Sequence, residues 1–154
     1  MPVVTELRVR YAETDQMGVV YYANYLVWFE LGRVEFLRSL GFDYKQMEIA
    51  DGCILPVVEA TCRYKAPARY DDVILIDCWP VVLRGPLLKF AYRVIRAGTA
   101  QDGQLLLAEG ETTHIVCDSS LQKCQMPERY AAPIRASIRM TERDEQGEVE
   151  GQDG

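Results

Sequence analysis

Histidine is nearly absent from this sequence, since His114 is the only one among 154 residues. A metal site built from several histidines is therefore excluded, and a cysteine–histidine nucleophile pair could form only through His114. A lone histidine on a strand is more often a packed, hydrogen-bonded core residue, and we expect that role here. The sequence also has no G-x-S-x-G, H-E-x-x-H, Walker or G-x-G-x-x-G motif, which sets aside the chemistry that these motifs carry.

An excess of positive charge is lacking as well. The net charge is −6 and the isoelectric point is about 4.9, which argues against nucleic acid as the main partner. A local basic pocket for a small phosphorylated ligand remains compatible with this balance. No apolar run approaches the roughly 18 residues of a membrane span, and the first eleven residues carry charges where a signal peptide needs an apolar core. We therefore expect a cytoplasmic protein without a membrane span.

The five cysteines show no C-x-x-C pair, and their number is odd. In a chain without a secretory signal, this pattern is typical of reduced and mostly buried thiols rather than of a disulfide framework. These cysteines therefore predict the same compartment as the N-terminus does.

The apolar pattern predicts an α+β fold. Residues 3–11 alternate like a strand, and residues 22–40 repeat apolar side chains at helical spacing: Leu26, Phe29, Phe36, Leu37 and Leu40. Asn24 or a residue just before it is expected to cap this helix and Gly41 to end it, while Gly32 indicates the close approach of another backbone. A short helix is expected at 43–50. Four strands follow at about 56–66, 71–83, 87–98 and 104–118, with bulges expected near Pro80 and Gly110. We predict an antiparallel five-stranded sheet wrapped around one long helix, whose far face and edges a homo-oligomer would cover.

The C-terminal segment differs in composition from the rest of the chain. From Ser137 to Gly154 there are six acids and two bases, with almost no aliphatic residues. We predict one folded domain over residues 1–135 and an acidic, flexible tail over residues 136–154.

Asp15 is the carboxylate whose place suggests chemistry. It lies in a loop with Gly18, a few residues before the predicted start of the long helix, where free N–H groups favour anions. A capping or loop role and a catalytic role both fit the residues alone. For most of the other carboxylates considered, a structural role is the default expectation: Asp71 and Asp72 exposed, Glu30 in an ion pair, and Glu59 facing solvent or a subunit contact, with Glu13 also among the candidates.

Four segments, in order, resemble the 4-hydroxybenzoyl-CoA thioesterase family, which includes the acyl-CoA thioesterases associated with the Tol–Pal system. They are YAETDQMGVVYYANY from residue 11, WFELGRVEFL from residue 28, YKAPARYDD from residue 64 and LRGPLLKFAYRV from residue 83. The resemblance covers about residues 4–130 and implies a hotdog fold, in which the sheet wraps around the helix. It also implies dimers with a continuous sheet, often paired into tetramers, and active sites at the dimer interface.

The resemblance further implies hydrolysis of an acyl-CoA thioester to a carboxylic acid and free CoA, with no cofactor. Asp15 matches the catalytic carboxylate, as nucleophile or general base, and Gly18 would let the loop approach the acyl group. Tyr22 matches the helix start, where its backbone N–H would polarise the thioester carbonyl. The expected substrate contacts are Arg84 and Lys89, then Lys65 and Glu59, with Arg69 as a weaker choice.

Two other functions compete with this interpretation. A hotdog protein could bind acyl-CoA or an acyl-carrier partner without turning it over, but it would not need Asp15 together with Gly18. A hotdog hydratase or dehydratase would use a histidine near the loop or helix, and the only histidine of this chain lies in the last strand. Hydrolysis is therefore the leading hypothesis.

Overall fold

The computed structural model describes residues 3–152, with side chains up to Glu142. One strand, two helices and then four successive strands follow each other along the chain, as the apolar pattern predicts, and a third helix comes last. The elements are β1 (Val3–Arg8), α1 (Asn24–Ser39), α2 (Tyr44–Asp51), β2 (Val57–Tyr64), β3 (Val73–Arg84), β4 (Leu87–Arg96), β5 (Leu105–Ile115) and α3 (Glu128–Gln152).

The five strands form one sheet in the order β1-β3-β4-β5-β2, and every neighbouring pair is antiparallel. This confirms the predicted five-stranded antiparallel sheet. Two hairpins, β3–β4 and β4–β5, form its centre, while β1 and β2 are its edges. Most β2 side chains are exposed on both faces of the strand, so β2 is an open edge within the part of the chain that the structure describes.

Helix α1 packs across one face of this sheet, as predicted. The Phe29 ring stacks on the Tyr92 ring with centroids 4.3 Å apart. At Gly32 the helix comes so close that an added Cβ would lie 2.9 Å from the Ile76 Cγ2 atom. The close approach expected at Gly32 is therefore confirmed, although the neighbour is a side chain rather than a backbone. We call the sheet face under α1 the inner face and the opposite one the outer face.

The ends of α1 lie within two residues of their predicted positions. At its C-terminus Gly41 adopts a φ of +87°, and the Phe42 N–H donates to the Leu37 carbonyl at 3.1 Å, which closes the helix as expected for a C′ glycine. At the N-terminus the cap position is Ala23, the residue just before Asn24, as the prediction allowed, but it makes no side-chain hydrogen bond. The Asn24 side chain, predicted as a possible cap, binds the preceding loop instead.

The periodicity of α1 misplaced one side chain. Leu26 was grouped with the core residues, but it is 41% exposed, and Val27 and Leu31 are exposed as well. The buried face consists of Tyr25, Trp28, Phe29, Gly32, Phe36 and Leu37. An apolar strip on α1 therefore faces away from the chain's own core.

One of the two predicted bulges is present. The β3–β4 register shifts between Pro80 and Val82, which confirms the irregularity expected there. The bulge predicted at Gly110 is wrong, because Gly110 pairs in regular register with both Cys62 and Tyr92. Its lack of a side chain serves packing instead, since an added Cβ would lie 2.8 Å from Cζ of Phe29.

The longest helix, α3, was not predicted. It spans Glu128–Gln152 and includes Pro133. Its first turns bury Tyr130, Ala131 and Ile134, and the helix packs against β3. The predicted boundary at residue 135 therefore falls inside a continuous helix rather than between elements. The backbone of the acidic tail is helical as far as Gln152, and the flexibility of the tail stays a prediction. No helix within residues 3–152 combines the length and apolar character that crossing a membrane requires.

Candidate active site

Asp15 lies in a short loop that is closed at its base. Thr14 and Val20 form an isolated antiparallel bridge, and the Asp15 N–H donates to the Val19 carbonyl at 2.9 Å. Gly18 turns the chain back with a φ of +77°, a conformation that residues with a Cβ adopt only at a cost. An added Cβ at Gly18 would meet no atom within 4 Å, so open space surrounds this side of the loop.

The Asp15 carboxylate is half-buried and only partly engaged. Its Oδ1 atom accepts a hydrogen bond from the Met17 N–H at 2.9 Å. Among the side chains described up to residue 142, none donates to the other oxygen, Oδ2. Asp15 therefore has a fixed orientation and one oxygen available to a bound molecule or water.

The start of α1 also offers an unpaired donor. The Tyr22 carbonyl accepts from the Tyr25 N–H at 3.3 Å, but within residues 3–142 no acceptor pairs with the Tyr22 N–H itself. No side chain caps this helix, but the N–H groups of its first three residues, from Asn24 to Leu26, already donate to backbone carbonyls. The donor left for an anion at this helix start is therefore the Tyr22 N–H, which the helix dipole supports. The structure thus places Asp15, Gly18 and Tyr22 on one continuous segment that leads into α1.

Glu13 joins this segment to α1, and sequence reasoning missed its importance. It is only 6% exposed. Its Oε2 atom accepts from Trp28 Nε1 at 2.9 Å, and its Oε1 atom accepts from the Arg10 N–H at 2.9 Å. Its main-chain carbonyl accepts from the Tyr21 N–H and from Asn24 Nδ2, both at 2.9 Å. Glu13 and Trp28 lie on either side of the segment that carries Asp15, but nothing in the sequence indicates that their side chains form a hydrogen bond.

Aromatic side chains surround the entry to α1. The Tyr64 hydroxyl, at the end of β2, donates to the Tyr22 carbonyl at 3.0 Å, and the two rings meet edge to face. Burial raises the pKa of Tyr64, so its hydroxyl stays protonated and keeps donating at neutral pH. The Tyr21 and Tyr22 rings are also in contact and are 47% and 61% exposed. An edge strand and a partly exposed aromatic surface therefore lie beside the Tyr22 N–H.

The predicted substrate-contact residues do not gather around Asp15 within one chain. The Asp15 loop lies at the end of the sheet where Arg8 faces Val73, whereas Arg84 and Lys89 lie at or near the opposite end, in the β3–β4 hairpin. Lys89 points to the outer face and pairs with Glu111 at 2.8 Å, a hydrogen bond that raises the pKa of the Lys89 ammonium. Arg84 is exposed and makes no ion pair with residues 3–142.

Two further candidates lie on or just after β2. Lys65 follows Tyr64 directly and pairs with Glu109 at 3.5 Å. Glu59 is exposed opposite Thr113 and lies near Lys89, whose ammonium it also stabilises. The weaker candidate, Arg69, is exposed in the loop between β2 and β3. Of these cations, Lys65 and Arg69 belong to the same end of the sheet as Asp15.

His114 is a structural residue, as expected. It is fully buried on the inner face, with Nε2 at 2.8 Å from the Thr112 hydroxyl and Nδ1 at 2.9 Å from the Leu55 carbonyl. The Thr112 hydroxyl in turn contacts the Tyr92 hydroxyl at 2.6 Å. Burial lowers the pKa of His114 to about 4, so the ring is neutral at physiological pH. It lies away from the Asp15 loop and takes no part in the site.

Burial disfavours thiolate formation at two of the cysteines. All five are free thiols, and Cys53, Cys78 and Cys117 are buried. Burial raises the pKa of Cys53 to about 11 and raises that of Cys78 well above its usual value, so both stay protonated. Neither thiol is therefore suited to act as a nucleophile at neutral pH.

Comparison with known proteins identifies the family of this chain. The sequence profile of the thioesterase-like superfamily matches residues 9–134. YneP of Bacillus subtilis strain 168, whose name assigns it provisionally to the acyl-CoA thioesterases, is 39% identical over 113 residues, which are 73% of this chain and 78% of YneP. The acyl-CoA thioester hydrolase YbgC of Escherichia coli O6:H1 is 36% identical over 116 residues, which are 75% of this chain and 81% of YbgC.

A solved structure of a thioesterase has the same fold as this chain. The 4-hydroxybenzoyl-CoA thioesterase from Pseudomonas sp. strain CBS-3 superposes with a TM-score of 0.77 at 20% identity, covering 86% of this chain and 98% of that one. The shared architecture is the hotdog fold, with the sheet wrapped around α1. The chain therefore belongs to the thioesterase-like superfamily, in the family of hotdog acyl-CoA thioesterases that includes 4-hydroxybenzoyl-CoA thioesterase, and is a thioester hydrolase.

Proposed function

We propose that this enzyme hydrolyses acyl-CoA thioesters with Asp15 as nucleophile or general base and the Tyr22 N–H as the donor to the thioester carbonyl. The observation that carries the proposal is the pairing of a fixed, half-buried carboxylate with an uncapped helix start on one short segment. A carboxylate supplies the base or nucleophile, and a helix N-terminus stabilises negative charge on oxygen.

The reaction needs no group beyond these two and water. In the general-base route, Asp15 takes a proton from water, and the water oxygen attacks the thioester carbon. The carbonyl oxygen becomes an oxyanion facing the Tyr22 N–H. When the tetrahedral intermediate collapses, the C–S bond breaks, and the CoA sulfur leaves with the proton that Asp15 had taken. In the nucleophilic route, the Asp15 carboxylate attacks the thioester carbon, the C–S bond breaks, and CoA leaves as the thiolate. Water then hydrolyses the mixed anhydride, which restores Asp15 and releases the carboxylic acid and a proton that the CoA thiolate takes up.

We test this proposal by measuring free CoA with a thiol-reactive dye. The substrates are acetyl-, palmitoyl-, benzoyl- and 4-hydroxybenzoyl-CoA, and the proteins are the wild type and Asp15→Asn. Because the amide keeps the size of Asp15 but is neither base nor nucleophile, kcat should fall about 10²- to 10⁴-fold. Asp43→Asn, which changes an exposed carboxylate at the start of α2, is the control and should keep full turnover. Turnover that survives in Asp15→Asn would refute the catalytic role.

The substrate is proposed to be held by a second copy of the chain. Each β2 edge would pair with its counterpart in an antiparallel two-fold dimer, which brings the β3–β4 hairpin of one copy toward the Asp15 loop of the other. Arg84, exposed and without an ion pair in the described part of the chain, would then contact CoA phosphates, and Lys89, Lys65 and Glu59 would line the approach. Further pairing into a tetramer through an exposed face belongs to the same proposal.

The role of Arg84 can be separated from that of Asp15 by kinetics. A phosphate contact far from the carbonyl stabilises ground and transition states alike, so Arg84→Ala should raise KM about tenfold with little change in kcat. Lys45→Ala, on the exposed side of α2, serves as the control. A normal KM with a low kcat in Arg84→Ala would contradict this role.

Two further properties follow from the proposed chemistry. Because Asp15 and the helix start supply base and donor, we propose a cofactor-free reaction whose rate survives dialysis against EDTA unchanged. Five free thiols fit a reducing compartment, and we propose the cytoplasm as the site of action.

A further inference from the structure

Glu13 is buried at the point where the Asp15 loop meets α1. Its exposed fraction is 6%, and its two carboxylate oxygens are bound by different parts of the chain, one by Arg10 just before the loop and the other by the helix. Buried carboxylates are rare unless their oxygens are satisfied. Here Oε1 accepts from the Arg10 N–H at 2.9 Å and from Arg10 Nε at 3.4 Å, and Oε2 accepts from Trp28 Nε1 at 2.9 Å. Its position therefore reflects specific contacts rather than a surface charge.

The contacts of Glu13 close the base of the Asp15 loop. Its carbonyl accepts from the Tyr21 N–H, directly after the Thr14–Val20 bridge that encloses Asp15. The same carbonyl accepts from Asn24 Nδ2, in the first turn of α1, while the side chain accepts from the Trp28 indole one turn later. Positions 24 and 28 lie on one side of the helix, so Glu13 contacts two successive turns of α1.

Both N–H donors that bind the Glu13 side chain need an oxygen acceptor, which a carboxylate offers at both positions. Both of its oxygens act only as acceptors, toward the Arg10 N–H and toward Trp28 Nε1. Glutamine has the same shape, but its NH₂ group would face one of these two N–H donors. Two donors in contact repel each other and leave a buried hydrogen bond unmade, so the amide cannot keep both contacts.

We infer that Glu13 is a positioning residue, whose buried carboxylate fixes the Asp15 loop against the first two turns of α1 so that Asp15 and the Tyr22 N–H act on the same carbonyl. This inference rests on the proposed roles of Asp15 and Tyr22. Glu13 itself contacts no reacting atom. Its effect is geometric, because a catalytic group displaced by about 1 Å can cost about 10²-fold in rate.

The test is a double-mutant cycle in which Trp28→Phe removes the donor that faces Oε2. Glu13→Gln should lower kcat about 10- to 100-fold and leave KM within about threefold, because the substrate contacts of the hairpin are untouched. Trp28→Phe keeps the aromatic packing and should lower kcat less. In the double variant the amide NH₂ no longer meets the indole, so kcat should recover above that of Glu13→Gln alone. Glu6→Gln, an exposed carboxylate on β1, is the matched control and should match the wild type.

A spectroscopic measurement reports the contact without any turnover. The chain has only two tryptophans, so the Trp28 indole N–H signal in a ¹⁵N spectrum is assigned by its loss in Trp28→Phe. In the wild type this proton should exchange slowly with solvent and resonate downfield. In Glu13→Gln it should move and exchange faster, while the Trp79 signal stays in place and confirms that the protein is folded.

The outcomes separate this inference from the proposed function. Normal kcat in Glu13→Gln, or losses that simply multiply in the double variant, would overturn the positioning role. Another outcome is that Asp15→Asn remains active while Glu13→Gln lowers kcat and Trp28→Phe restores it. That result would refute the role of Asp15 but would support the positioning of the helix start by Glu13. If both single variants keep full kcat, both proposals are refuted.

Discussion

At the scale of single residues, burial determines what His114 can do. Its pKa of about 4 lies well below the usual 6.5, because the buried ring pays a desolvation cost when it becomes charged. When folding lowers the pKa of a group, the unfolded chain takes up the proton at a higher pH than the native state does. The native state is therefore most favoured at pH values above the unfolded pKa. That stabilisation is lost as the pH falls from about 6.5 toward 4, since the unfolded chain binds the proton first.

The predicted consequence is a stability difference between the wild type and His114→Gln that depends on pH. Between pH 6.5 and pH 4 the wild type should lose up to about 3 kcal/mol more of its unfolding free energy than the variant, because glutamine does not titrate. Urea unfolding at pH 7.0, 5.5 and 4.5 measures this difference. Parallel pH dependences for the two proteins would show that His114 is not buried as neutral imidazole.

Gly110 illustrates a second kind of constraint on a single residue. An added Cβ would meet the Phe29 ring and the Thr61 carbonyl, so Gly110→Ala should lower the unfolding free energy by about 1–3 kcal/mol. Gly103→Ala is the matched control, because its Cβ would meet no atom within 4 Å, and it should leave stability unchanged or slightly higher. Urea midpoints measure both. Equal midpoints for the two variants would mean that the helix can shift away from the sheet without cost.

Residues at the site were predictable to different degrees. Asp15, Gly18 and Tyr22 stand in a contiguous motif, so the sequence indicates the carboxylate, the turn and the helix start together. Glu13 stands in the same motif, yet its importance depends on Trp28 and Asn24, which only the fold brings to it. A pattern of neighbours along the chain cannot reveal contacts that form when a loop folds back on a helix.

At the scale of elements, periodicity was enough for α1 and the five strands. A period of two or of about 3.6 arises when one face of an element is buried, and α1 and every strand except the edge strand β2 have such a face. The bulge at Gly110 was wrong because a glycine in a strand can serve close packing as well as a bulge, and the sequence does not distinguish the two.

Helix α3 was missed because its composition obscured its short buried face. Only Tyr130, Ala131 and Ile134 are buried in its first turns, and the charged segment that follows resembles a solvated tail. Tertiary contact with β3, which no local pattern records, holds the start of this helix.

At the scale of the whole molecule, two apolar surfaces remain uncovered in a single chain. Val57 and Val58 are exposed on the β2 edge, and Leu26, Val27 and Leu31 are exposed on α1. Exposed β-edges and apolar helix strips are typical of surfaces that a second subunit covers. The apolar strip on α1 is the reason why the sequence predicted more of this helix to be buried than a single chain buries.

Replacing one residue on this surface should therefore weaken assembly. Light scattering of the wild type should give a multiple of 17.5 kDa, and Val58→Lys should shift the population toward 17.5 kDa and lower the specific activity with it. Ile49→Lys, which alters an isoleucine of α2 that is 75% exposed, is the control and should assemble normally. A wild type of 17.5 kDa with full activity would exclude a site shared between subunits.

The separation of Asp15 from Arg84 along the strands has a consequence for mixtures of two impaired variants. If each site takes its carboxylate from one subunit and its phosphate contact from the other, then Asp15→Asn and Arg84→Ala subunits can complement each other. Random reassociation of equal amounts would give about a quarter of all sites both intact residues in a symmetric dimer. At low substrate concentration, two poorly active preparations would thus become more active when unfolded and refolded together than when refolded apart.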